Sequence, residues 1–152
     1  GITWNNRSET FFLLKEGKPG LLIEVSESLD EVIAYKELNH SNGFHSSGLD
    51  EDLMDFSDVF YDSSRDRFWI VSDKAQALFL YDWASNKVNQ QVKLGYAHHG
   101  RYQEISKAEG VAVDPETNRL YVVSDDEARL YVFDIRGPYE PPTAHNRWVR
   151  RK

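Results

Sequence analysis

Five carboxylates stand at matched places in a sequence that repeats itself: Glu16, Asp58, Asp73, Glu109 and Asp125. Asp58 and Glu109 open short apolar segments, and Glu16, Asp73 and Asp125 close the segments that follow. Gathered at one point, such groups repel one another and call for a cation. Oxygen-only donors suit calcium or magnesium, and a chain without cysteine has no thiolate to offer zinc, so calcium is the cofactor these residues would take. The plainer reading is that Asp and Ser at strand ends accept hydrogen bonds from their own turns and hold nothing else.

What must position them is a segment written three times. It reads GITWNNRSETFFLLKEG from Gly1, SDVFYDSSRDRFWIVSDKAQALFLYDW from Ser57 and EGVAVDPETNRLYVVSDDEARLYVFD from Glu109. Asp62 falls on Asp114, Arg67 on Arg119, Ser72-Asp73 on Ser124-Asp125 and Asp82 on Asp134. Repeats of this length built from several short strands mark propeller blades or related arrays. Alternation and β-branched or aromatic content predict strands over 1–5, 10–15, 21–25, 58–62, 67–72, 78–82, 110–114, 119–124 and 130–134, with turn residues such as Pro115-Glu-Thr-Asn118 between them. A fourth strand fits 30–38 in the first repeat and 87–94 in the second, where Val92 and Leu94 alternate in phase and Val88 does not.

The fold class is therefore all-β: a β-propeller with blades of four antiparallel strands, three in this chain, half of a six-bladed ring. Residues 1–136 hold the blades, from repeats starting near 1, 57 and 109, and 137–152 form a proline-rich basic tail, either disordered or covering an edge. The third repeat shows no fourth strand of its own, and in a closed ring that strand would come from the other terminus. Three blades do not close a ring, so either a homodimer or blades before Gly1 must complete it. The first strand of each blade lines the channel, and a hairpin sets its start beside the end of the second, so all five carboxylates should meet at one channel mouth.

The formal charge of −7 argues against a nucleic-acid or anionic-membrane partner. No apolar run reaches the length of a membrane span. Adjacent His98 and His99 should point to opposite sides and share no metal, in a solvated return loop from Gly95 to Ala108. Asp50-Glu-Asp52 with Asp55 lacks the spacing of a calcium loop and reads as surface charge. No nucleophile motif, phosphate loop or dinucleotide fingerprint is present.

Ala-Glu-Gly-Val-Ala-Val-Asp (108–114), Leu-Tyr-Val-Val-Ser-Asp (120–125), Leu-Tyr-Val-Phe (130–133) and Gly-Ile-Thr-Trp (1–4) resemble the later blades of the SdiA-regulated family, bacterial six-bladed propellers usually exported or membrane-anchored. That resemblance implies a periplasmic or extracellular setting. An acidic residue before a Gly on an inner strand is also similar to the calcium site of gluconolactonase-like propellers. The leading expectation is a non-catalytic module binding a small molecule or protein at the mouth. The alternatives are a calcium-dependent lactonase or esterase, and a purely structural domain of a larger exported protein.

Overall fold

The computed structural model describes residues 1–46, 48–50 and 54–136, with the backbone of 149–150. Its first sheet holds β1 (Ile2–Asn5), β2 (Thr10–Lys15), β3 (Gly20–Val25) and β4 (Val32–Leu38) in chain order. The second holds β5 (Asp58–Asp62), β6 (Arg67–Ser72), β7 (Ala77–Asp82) and β8 (Lys87–Lys93) in the same order. A hairpin, β9 (Gly95–His98) with β10 (Arg101–Glu104), precedes the third sheet of β11 (Ala108–Asp114), β12 (Arg119–Ser124), β13 (Arg129–Asp134) and β14 (Val149–Arg150). Every pairing is antiparallel, as a blade requires.

The repeat fixes register through its turns. Asn5, Asp62 and Asp114 end the inner strands, and each side-chain oxygen accepts the backbone N–H groups two and three residues on. The turn then closes on a residue at positive φ, Glu9, Asp66 or Asn118, which restarts the next strand. Gln76 and Ala128 do the same in the second turns. That is the geometry of a tight turn followed by a left-handed residue, whose twist suits paired strands. The phase break at Val88 has a local cause. Leu80 pairs with Gln90 but Tyr81 pairs with Val88, so Asn89 is an extra residue that moves Val88 to the other face. Ile33 plays the same part in the first blade, between Glu24–Ala34 and Val25–Val32.

Two cores result, one between each pair of blades. Phe12, Leu14 and Leu22 of the first blade pack on Val59, Phe68, Ile70, Phe79 and Tyr81 of the second, with Phe44 and Phe56 of the connecting loop sealing the seam. Trp69, Val71, Leu78 and Leu80 on the other face of the second blade pack on Val111, Leu120, Val122, Tyr131 and Phe133 of the third. Two expectations change. The third blade takes its fourth strand from its own tail, because Val149 and Arg150 pair with Asp134 and Phe133 and cover that part of the edge. The stretch from Gly95 to Glu104 is a hairpin with its own ladder rather than an open loop.

Candidate functional site at the channel mouth

The inner strands β1, β5 and β11 stand side by side around the channel, linked by side chains reaching to the next strand's backbone. Thr3 Oγ1 accepts the Tyr61 N–H at 2.9 Å, and Asp58 Oδ2 accepts the Val111 N–H at 3.0 Å. Asp58 also lies against Gly1, where a Cβ would come within 2.5 Å of its Oδ1. Gly1 and Gly110 occupy the places equivalent to Asp58 in the flanking blades. One carboxylate thus fits where its sister positions have no side chain. It acts as a clasp between blades, with one oxygen committed to the fold.

The remaining predicted residues lie at the same end of the strands and fall into two groups. Around the seam of the first two blades, Asp55, Asp73 and Glu16 share one electrostatic field. Burial pushes the Asp55 carboxyl above its ordinary range, the Lys74 N–H at 3.3 Å opposes this, the charge of Asp73 raises it further, and the Lys74 ammonium and Glu16 then act in opposite directions. In the third blade Glu109 sits exposed at a bulge between Ala108 and Gly110. Lys107 bonds Asp125 at 3.2 Å, and its ammonium is held charged above the usual lysine range by Asp125 first, then by Asp126 and Glu109.

The serines of the repeated Ser-Asp pair serve the turns. Ser72 and Ser124 are buried, and their Oγ atoms accept the N–H groups of Ala75 at 3.1 Å and Glu127 at 3.2 Å. Among the described residues no three His, Asp or Glu side chains converge closely enough to hold one metal ion. The described residues form no multidentate cage. His98 and His99 do not diverge as an extended strand would make them. His99 has a φ of 48° in the turn of the hairpin, and the two rings meet edge to face at 4.1 Å, both exposed. Of the acidic run at Asp50, residues 51 and 52 lie outside the described residues.

Sequence reasoning missed Asp55 as a member of the acidic mouth, having assigned it to surface charge. The signal was its place three residues before Asp58, in the segment that leads into β5. It also missed the opposite end, where Asp62 is a buried node. Burial is the largest influence on that carboxyl and raises it, but bonds from Ser64, Arg65 and Trp69 together hold it below the usual range. Arg65 also reaches Asn118 of the third blade at 2.9 Å, and Arg7 reaches the Ser63 carbonyl of the second at 2.8 Å.

Residues 1–134 match the sequence pattern of the SdiA-regulated family. The chain belongs to the SdiA-regulated family. No curated protein is similar to it in sequence. Among solved structures this SdiA-regulated chain is similar to the β-propeller domain of Cps50 (Swd1) from Myceliophteria thermophila. Identity there is 13% and the TM-score 0.59, over 97% of this chain and 45% of that one. It is also similar to dihydro-heme d1 dehydrogenase NirN in complex with DHE, at 12% identity and a TM-score of 0.53, over 89% of this chain and 25% of that one. These likenesses show the propeller fold, and the chain spans less than half the length of either structure. Among the described residues no helix is long and apolar enough to cross a membrane.

Proposed function

We propose that these blades belong to a non-catalytic binding module whose acidic channel mouth draws in a cationic ligand, with calcium as the ion its carboxylates favour. The observation that supports this is the grouping of Asp55 with Asp73 and Glu16 at one end of the strands, where burial and the two carboxylates outweigh the N–H and the ammonium of Lys74 and hold the Asp55 carboxyl above its ordinary range. A divalent cation relieves that repulsion and is bound through oxygen. Asp73 and Glu16, with Asp55, make the stronger half of the mouth. Asp58 completes it beside the axis, and Glu109 with Asp125 form a weaker half already balanced in part by Lys107. The expected affinity is modest, since the described residues form no closed cage. Nothing favours the lactonase or esterase reading, which needs a tightly held ion. The structural-domain reading has one observation behind it, the commitment of Asp58, Ser72 and Ser124 to bonds within the fold.

Calorimetric titration of calcium into the purified chain tests the proposal, alongside Asp73→Asn and Glu109→Gln, which keep shape and remove charge. Binding to the wild type that weakens most in Asp73→Asn supports it. An absence of heat in the wild type, or equal binding in all three proteins, leaves the purely structural reading.

A further inference from the structure

The chain holds no cysteine and one methionine, so Met54 carries its only sulfur atom. That sulfur sits in the seam between the first two blades, in one core with Phe44, Phe56, Ala75 and Phe79. Ser72 Oγ donates to Met54 Sδ at 3.6 Å and accepts the Ala75 N–H at 3.1 Å. The next residue, Asp55, accepts the Lys74 N–H at 3.3 Å. Two consecutive residues therefore hold the turn from Ser72 to Gln76, and Asp73 of the mouth stands on that turn.

The third blade shows what is unusual in this. In the aligned repeats Ser106 stands where Met54 does, and Ser124 where Ser72 does. There Ser124 Oγ donates to the Ser106 carbonyl at 2.5 Å and accepts the Glu127 N–H at 3.2 Å. In the second blade a thioether, a weak and oxidisable acceptor, takes the place of that carbonyl. Met54 is itself only 7% exposed, but a pocket of about 190 Å³ lies against it. Lys18, Pro19 and Glu37 form its exposed rim, and Gly20, Leu38 and Phe56 are buried in its wall. A water molecule needs only about 10–15 Å³, so a molecule the size of hydrogen peroxide has room beside the sulfur.

We infer that Met54 is a redox-sensitive latch on the acidic mouth. A two-electron oxidant of the peroxide class transfers one oxygen atom to Sδ. The S–O bond forms as the O–O bond breaks, the thioether is oxidised to the sulfoxide, and the peroxide is reduced to water. The sulfoxide is larger and strongly polar, and a seam closed by Phe44 and Phe56 does not solvate it. The side chain then turns to the pocket, where water receives the S–O dipole. Ser72 loses its acceptor, and Asp55 is drawn with its neighbour away from Lys74. The turn bearing Asp73 loosens, and the group of Asp55, Asp73 and Glu16 spreads. Methionine sulfoxide reductases reverse the step. The effect on binding rests on the mouth taking a cation as proposed above, whereas the loosening of the turn does not.

Treating the folded chain with hydrogen peroxide tests this, read by intact mass, amide magnetic resonance and calcium calorimetry. Met54→Leu, which keeps the volume, is the control. The wild type should gain one oxygen atom, on Met54, keep its far-ultraviolet dichroism, and shift the amides of Lys74 and Ala75. Calcium should then bind about tenfold more weakly, the usual loss when groups behind the ligands are disturbed. A sulfoxide reductase should restore both, and peroxide should change neither in Met54→Leu. A thioether that resists peroxide in the folded chain but not in urea overturns the inference. So does a sulfoxide form whose turn amides or calcium affinity match the untreated protein, or an equal loss of affinity in treated Met54→Leu. If the untreated wild type binds no calcium, the reading of the mouth fails, and the turn amides alone decide the latch. The wild type before oxidation and after reduction is its own control if Met54→Leu misfolds.

Discussion

Replacing Asp62 by Asn strikes the node at the closed end of the blades. The carboxylate is fully buried and accepts from Ser64 N–H at 3.0 Å, Ser64 Oγ at 2.5 Å, Arg65 Nη1 at 2.7 Å and Trp69 Nε1 at 3.1 Å. An amide keeps the shape and one acceptor for the turn, but it turns an N–H₂ toward both Arg65 and Trp69, which donate to the same oxygen. An unpaired donor in the core costs about 1–3 kcal/mol. Depriving a largely buried Arg of its partner costs about 3–5 kcal/mol, and the two losses overlap, so about 3 kcal/mol is expected in all. For a chain of this size that lowers the melting temperature by about 6–12 °C. The folded-state value of Asp62 is depressed, so its contribution is present above the unfolded carboxyl value and is lost as pH falls through the folded one. Urea unfolding of both proteins at neutral pH and again in acid measures this. The gap should be full at neutral pH and should narrow below about pH 4. A gap under about 0.5 kcal/mol at neutral pH, the range of an ordinary surface change, would refute the reasoning.

Removing the turn bonds of the repeat should destabilise both blades. Ser72→Ala leaves a backbone N–H without its hydroxyl partner and should cost about 1 kcal/mol in thermal unfolding, and Ser124→Ala should cost more, since that hydroxyl also donates to the Ser106 carbonyl at 2.5 Å. Asp55→Asn should act in the other direction. The folded-state value of Asp55 is raised, so its charged form weakens the fold as pH rises through that value. The variant should melt higher than the wild type at neutral pH, with no advantage in acid and none in saturating calcium.

Most of the fold was legible because each blade states its own grammar. Asp62 and Asp114 bond their turns as strand-end Asp residues do, and the repeat carries that turn from blade to blade, so the strands fell where alternation placed them. The tail strand was not legible, since Val149 and Arg150 find the edge of β13 only through a return path that no local pattern encodes. The hairpin at Gly95 was hidden because its strands are only four residues long and hold no β-branched residue. In the mouth, spacing placed Asp73, Glu109 and Asp125 at one end of the strands. Their division into two groups depends on Lys107 and on the half-buried place of Asp55, which are tertiary facts. The clasp at Asp58 had a sequence sign, an Asp where both sister repeats have Gly, though a charge at a channel mouth reads as a ligand until the neighbouring N–H is seen.

A cationic ligand, as proposed, enters at the acidic end of the channel. Amide chemical shifts followed by nuclear magnetic resonance during a calcium titration test it most directly. Saturable shifts are expected at Glu16, Asp55, Asp73 and Lys74, smaller ones at Lys107 and Glu109, and none at Arg7, Ser64 or Asn118 on the opposite end. Shifts centred on that opposite end, or spread without saturation over the whole acidic surface, would contradict it.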